Sequence, residues 1–329
     1  MKAKYLLKEN LMKKSKTIIN LALFTMLILY ILFPMTAMAS GTADRSGSGS
    51  TPAAISRDHK FYQDFTAEQV MKAHAQAFPQ AINQVEYRNG DWAVLLRGKW
   101  FYYAEGRLLP EERLGELWAQ QSFYLYPAEL PPWKEPEGEL AQWLKNELSN
   151  RRANPPQRDP DFYDTLWQAA NSDEARSNLI QINFLGKKFM VHRDIRARLL
   201  KIDALIKEAA KTDRVVKAFI DEIGYIGAWN WRNVAATLSR SYHAYGVALD
   251  ILPKKLQGRA TYWQWTADEN KDIEWYTVPY SERYHPPLSV VEIFERYGFC
   301  WGGKWELFDT MHFEYRPEIM ILNGMKVEN

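Results

Sequence analysis

The sequence predicts an α+β protein built from two folded units. Three observations predict it. Two short aromatic and aliphatic runs, Trp92–Leu96 and Trp100–Ala104, flank Gly98-Lys99 in a hairpin pattern. Ile195, Leu199, Ile202, Ile206 and Ala209 recur at helical spacing and make one apolar stripe. Two further β-type runs, Val247–Leu252 and Met311–Tyr315, lie near the C-terminus. At 329 residues the chain exceeds one average domain. A small α+β N-terminal domain of unassigned role is therefore expected over 56–150 and a helical connector over 151–178. A C-terminal domain over 179–329 would hold a small antiparallel sheet flanked by helices.

The first segment reads as an address. Lysines crowd residues 1–16, an apolar run follows from Leu21 to Phe33, and Ala37-Met38-Ala39 precedes Ser40-Gly41. A basic start, a short apolar run and an A-x-A exit make a secretory signal, with cleavage expected after Ala39. The run is short for a membrane span, so no stable span is expected after cleavage. The competing reading is an uncleaved N-terminal anchor. The protein is thus expected outside the cytoplasm, periplasmic or extracellular and associated with the cell wall. Residues 40–55, rich in Gly and Ser, read as a flexible linker.

Within 56–150, Thr66 and Gln69 form a capping box that opens a helix. Asn89-Gly90 marks a turn. Helices are expected over Asp161–Ala170 and in parts of 137–150. Phe189-Met190-Val191 reads as a short strand, Asp194 as the cap of the striped helix, and Ser289 with Glu292 as a second capping box. Residues 254–288 form a long aromatic connection, either a cleft wall or a cover over the core.

Charge and cysteine content exclude some classes. Residues 1–39 hold six Lys against one Glu, so without them the formal charge of +2 becomes −3. A slightly acidic mature chain argues against nucleic acid as a partner. Cys300 is the one cysteine, so no intrachain disulfide can form. Its apolar neighbours make it a buried hydrophobe. Among the six His, His59 and His74 read as surface residues, His192 as a structural hydrogen-bonding group and His285 as a loop residue.

His243, Asp250 and His312 remain, and together they can hold a metal ion. Two imidazoles and a carboxylate suit Zn²⁺ and leave one tetrahedral position open, as catalytic rather than structural zinc requires. On a strand, alternation puts Asp250 on one face with Ala248 and Leu252, and His312 with Glu314. Gly246 lets the chain turn between His243 and its strand. Asp309, three residues before His312, can reach a water at the metal.

The motif S-x-H-x-x-G-x-A-x-D at Ser241 to Asp250 is followed by Gly302-Gly303-Lys304-Trp305 and D-x-x-H-F-E at Asp309 to Glu314. It resembles the D-alanyl-D-alanine carboxypeptidase and L-alanyl-D-glutamate endopeptidase family of peptidoglycan zinc peptidases, over about residues 180–329. The resemblance implies one zinc per chain, peptidoglycan peptides as substrate and Asp309 as general base. It implies Arg232 as the group that stabilises the oxyanion or grips a substrate carboxylate. Ser241 and Glu314 would orient the ligands, and Trp305 would wall the site. Removal of a terminal D-alanine is the first expectation. An L-alanyl-D-glutamate cut by the same site and a non-catalytic zinc module that binds wall peptides or a partner are the alternatives. Oligomeric state is left open.

Overall fold

Two tight turns set the first sheet. Asn89 and Gly90 have φ of 50° and 89°, and Arg97 and Gly98 have 48° and 87°. Positive φ at both central residues gives the turn whose twist matches that of paired strands. Three strands therefore run antiparallel: β1 (Ile82–Arg88), β2 (Asp91–Leu96) and β3 (Lys99–Tyr102), with β4 (Leu109–Pro110) at the edge. Ahead of them α1 (Ala67–Ala77) opens on the expected Thr66–Gln69 capping box and buries Val70, Met71, Ala73 and His74. His74 is thus a core residue, not a surface one. Its ring meets Phe162 and Tyr124 edge-on, and its Nδ1 bonds the Val70 carbonyl. This computed structural model describes residues 65–116, 118–122, 124–269 and 273–328. The expected secretory signal 1–39, the expected linker 40–55 and His59 lie outside them.

Helices α2 (Gly138–Ala153), α3 (Asp161–Trp167) and α4 (Ser172–Ser177) lead to the hairpin β5 (Leu179–Phe184) and β6 (Lys187–His192). Next come α5 (Arg196–Ala209) and α6 (Arg214–Glu222). Asp194 does not cap α5. The His192 ring accepts the Asp194 N–H, a 3-10 turn fills 193–195, and Ile195 stands at the cap position. His192 keeps its structural role, with Nε2 also against the Trp167 carbonyl.

The second sheet has the order β7-β8-β10-β9, from Ile223–Gly227, Ala248–Pro253, His312–Tyr315 and Phe299–Trp301. All its pairings are antiparallel. Leu249, Ile251 and Phe313 point into the core, where Phe313 stacks on Phe294 with ring centres 4.1 Å apart. Phe294 lies on α8 (Leu288–Arg296), reached through α7 (Trp263–Glu269). Ser289 and Glu292 form no capping box. Pro287 occupies the cap position, so α8 starts at Leu288 and Ser289 falls inside its first turn. The chain closes with α9 (Pro317–Leu322). The result is a mixed fold of helices and small antiparallel sheets, of α+β type. No helix among the described residues is long and apolar enough to cross a membrane.

One hydrophobic core runs through both sheets. Met71, Phe101, Phe162 and Trp167 share it with Leu199, Phe294 and Phe313. Phe78 touches both Trp167 and Tyr315 edge-on, at 5.7 and 6.3 Å between ring centres. Most of the aromatic connection 254–288 is cover. Trp263, Trp275 and Tyr276 bury with Leu144 and Phe308 in a separate cluster. That cover is tied down where the Trp263 N–H meets the Phe308 carbonyl and Tyr262 pairs with Asp309.

Candidate metal centre

His243 sits on a 3-10 turn, Tyr242–Tyr245, whose cap residue Ser241 accepts the His243 N–H through its hydroxyl at 3.3 Å. The turn ends on Gly246 with φ of 72°. A Cβ there would lie 2.6 Å from the Leu179 side chain and 2.9 Å from the His192 nitrogen. Glycine is therefore required twice over, by backbone angle and by space. From Gly246 the chain enters β8, and pairing with β10 sets Asp250 directly opposite His312.

The three side chains meet. His243 Nε2 lies 3.2 Å from His312 Nδ1 and 3.1 Å from Asp250 Oδ2, and His312 Nδ1 lies 2.9 Å from Asp250 Oδ1. Tautomers follow from the outer partners. His243 Nδ1 bonds the Ala228 carbonyl, which can only accept, so the proton is on Nδ1 and Nε2 offers a lone pair. His312 Nε2 faces Glu314 Oε2 at 3.2 Å, so Nε2–H donates there and Nδ1 is turned to the centre. Two nitrogen lone pairs and a carboxylate aimed at one point repel unless a cation or proton lies among them.

That donor set fits zinc. Ligands about 2.0–2.1 Å from a tetrahedral ion stand roughly 3.3 Å from one another, close to the observed spacings. His243, Asp250 and His312 form a His/Asp cluster able to hold a metal ion among the described residues. Without an ion, burial works against the His312 imidazolium, but Asp250 and Glu314 hold its pKa up at about 10. Burial likewise pushes the Asp250 carboxyl up, while His243 and His312 outweigh it and hold it well below the usual range. A cation binding there displaces a proton.

Asp309 stands at the edge of this cluster. Its backbone carbonyl accepts the His312 N–H at 3.2 Å, and its own N–H reaches the Gly302 carbonyl at 3.0 Å. A Cβ on Gly302 would meet that Asp309 carbonyl oxygen at 2.5 Å, and one on Gly303 would enter the Trp301 ring at 2.1 Å. The two glycines thus let the chain close around Asp309. Its Oδ1 is buried with no hydrogen-bond partner. Burial raises the carboxyl to about 7 and Asp250 adds to the rise, against His312 and Arg232.

The remaining expected residues divide. Trp305 is a wall, its ring 5.9 Å from that of His312. Ser241 and Glu314 hold the two histidines as described. Arg232 is half-buried, donates to the Asn233 carbonyl, and forms no ion pair among the described residues. It reaches Asp309 by its field and not by a bond. Tyr225, which no sequence motif marks, stands in the same field, with burial and Asp250 raising its pKa and Arg232 opposing them.

A buried relay behind His312 also escapes the motif. Glu314 Oε1 accepts from Arg316 at 3.2 Å, and Arg316 in turn bonds Glu318. The Arg316 guanidinium lies 4.8 Å over Tyr242. A signal for it exists: polar residues recur at 312, 314, 316 and 318 with apolar ones between. Glu314→Gln is expected to lower zinc affinity about 10- to 100-fold, because a neutral amide holds the imidazole less firmly. Competition against a chromogenic chelator measures this, and an unchanged affinity would remove Glu314 from the role.

Comparison with known proteins agrees with this geometry. The family described as D-alanyl-D-alanine carboxypeptidase matches residues 235–315, a stretch that holds all three ligands and Asp309 but not Arg232. A peptidoglycan L-alanyl-D-glutamate endopeptidase of Bacillus subtilis is 34% identical over 79 residues, which are 23% of this chain and 40% of the relative. The chain thus spans well under half the length of that curated relative. Residues 70–126 match a family described as a domain of unknown function (DUF8518). No solved structure matches. Within its C-terminal part the chain is thus similar to the D-alanyl-D-alanine carboxypeptidase family of peptidases.

Proposed function

We propose that this chain is a zinc-dependent peptidase that cuts the stem peptides of peptidoglycan. One observation carries the reading: two histidine lone pairs and the Asp250 carboxylate converge beside Asp309, whose buried Oδ1 has no partner in the fold. An orphaned buried carboxylate oxygen is costly, and a hydrogen-bonded water or substrate group satisfies it. Zinc at these ligands would polarise a carbonyl and acidify water. Asp309 takes the proton from the attacking water and returns it to the leaving amine. Arg232, whose charge acts on Asp309, holds the developing oxyanion or a substrate carboxylate. Glu314 and the Ala228 carbonyl keep both imidazoles oriented throughout.

Removal of a terminal D-alanine is the first form of this reading, after the family's description. The name of the Bacillus subtilis relative favours a second, cleavage between L-alanine and D-glutamate. A purely binding role has no use for Asp309. Export to the periplasm or cell wall is part of the proposal and rests on the first 39 residues. Defined muropeptides incubated with the zinc-loaded chain, with a chelator as control, test it by mass spectrometry. Chelator-sensitive loss of D-alanine, or release of an L-alanine-ended fragment, names the bond. Intact muropeptides at equal zinc loading would end the reading.

A further inference from the structure

We propose that Tyr225 is a further catalytic residue, whose phenolic hydroxyl donates a hydrogen bond to the oxyanion that forms at the scissile carbonyl. The inference deepens the peptidase reading and rests on it. Tyr225 lies ahead of the stretch 235–315 that matches the family.

Strand register places the residue. Gly227 on β7 pairs with Asp250, and Asp250 pairs with His312 on β10. Directly opposed residues share a face of the sheet, so Gly227, Asp250 and His312 form one row across three strands. Tyr225 is two residues from Gly227 and shares that face, whereas Ile226 between them is buried in the core. The Tyr225 ring fills the space that a side chain at Gly227 would take. A Cβ there would lie 2.9 Å from Tyr225 Cε1 and 3.0 Å from its hydroxyl oxygen. Facing Cβ positions in such a pair are about 5 Å apart, so the hydroxyl stands beside the Asp250 side chain. The pairing slips at Gly224, just ahead of Tyr225, and a bulge of this kind re-aims the neighbouring side chain.

The phenol is available to a substrate. It is 44% exposed and makes no hydrogen bond among the described residues. Asp250 does not engage it, since Oδ1 and Oδ2 lie against the two imidazoles. Burial and Asp250 raise its pKa against Arg232, so the hydroxyl keeps its proton at neutral pH. Position selects its role. Asp309 is tied to the Gly302 carbonyl on the β9 side of β10, so base and phenol flank the ligand row from opposite sides. A carbonyl set over the row and attacked from the Asp309 side builds its negative charge toward β7. There Tyr225 offers an O–H, and the charge of Arg232 acts on the same place. Hydrogen bonds to a charged oxygen are about twice as strong as neutral ones, so this donor contributes most in the transition state. The phenol gives a hydrogen bond and retains its proton throughout.

The test uses the full zinc-loaded chain and Tyr225→Phe, which removes one oxygen. On the substrate that wild type cuts, kcat is expected to fall about 10²-fold, the weight of one oxyanion donor, with KM unchanged. Two phosphinate peptides, one replacing the D-alanyl-D-alanine bond and one the L-alanyl-D-glutamyl bond, carry a tetrahedral anion without turnover. The one that matches the bond cut should lose affinity by a similar factor, while zinc affinity and thermal melt stay at wild-type values. Gly227→Ala keeps the phenol but pushes its ring aside, and should show the same losses. A higher KM at unchanged kcat, or unaltered kinetics and phosphinate affinity, would overturn the role. Weaker zinc binding by Tyr225→Phe would overturn it too, by making the phenol a partner of Asp250. If wild type hydrolyses neither bond, the peptidase reading ends and the phosphinates alone decide the contact: lost affinity in Tyr225→Phe upholds it, and equal affinity removes it.

Discussion

Asp309→Asn is expected to take up one zinc per chain as wild type does and to hydrolyse its substrate about 10²- to 10⁴-fold more slowly, the usual weight of a positioned acid–base group. Metal uptake should survive because the three ligand groups meet without Asp309, both imidazoles being held by outer partners and Asp250 lying against the two of them. Its loss removes only the group whose Oδ1 is unpartnered. The pH dependence separates this role from a structural one. Burial places the Asp309 carboxyl at about 7 without metal, and an adjacent divalent cation favours the carboxylate and moves it lower. Wild-type kcat/KM should then fall as pH drops through a limb below 7, and the residual activity of the asparagine variant should lack that limb. Stability supplies a second readout. A carboxyl whose pKa is raised in the folded state adds stability below its unfolded pKa and loses it as pH rises through about 7. Metal-free Asp309→Asn should therefore melt higher than metal-free wild type above pH 7, with the gap closing in acid. An active Asp309→Asn protein with zinc bound would assign the base elsewhere.

The convergence of His243, Asp250 and His312 was legible because its information is local and periodic. His243 and Asp250 are fixed by a turn, a glycine and strand alternation, and His312 with Glu314 by alternation alone. The hairpin turns and the Thr66 capping box were legible for the same reason. What failed was whatever depends on a distant partner. Asp194 is a good cap by residue type, but its N–H is taken by the His192 ring. Ser289 lost its place to Pro287 because the helix starts two residues earlier than the pattern suggested. His74 lies on a strongly amphipathic helix and looked polar enough for solvent, yet it is enclosed by Phe162 and Tyr124. The Ala228 carbonyl that fixes His243 carries no side-chain signal at all.

Residues 179–329 expressed alone are expected neither to fold cooperatively nor to hold zinc, although they contain every ligand. The sheet that bears the ligands is only half of what shields the core. Met71, Phe78, Val94, Leu96, Phe101, Phe162, Leu166 and Trp167 all bury in the same cluster as Phe313 and Tyr315. At about 1.5–3 kcal/mol for each large apolar side chain, the burial these eight provide is as large as a typical net stability of ~5–15 kcal/mol. Polar ties are cut as well. Asp164 accepts from Tyr245 and Arg240 at 2.7 and 2.5 Å, and Tyr245 belongs to the turn that carries His243. Tyr126 accepts the Trp301 N–H at 2.8 Å and donates to Glu295, just ahead of the glycines that close around Asp309. Circular dichroism, a thermal melt and zinc stoichiometry on the fragment check the result. A folded, zinc-bound fragment would show that the first half is dispensable for the centre. If that fragment also cleaved faster than the full chain, residues 40–178 would be an inhibitory segment rather than a buttress.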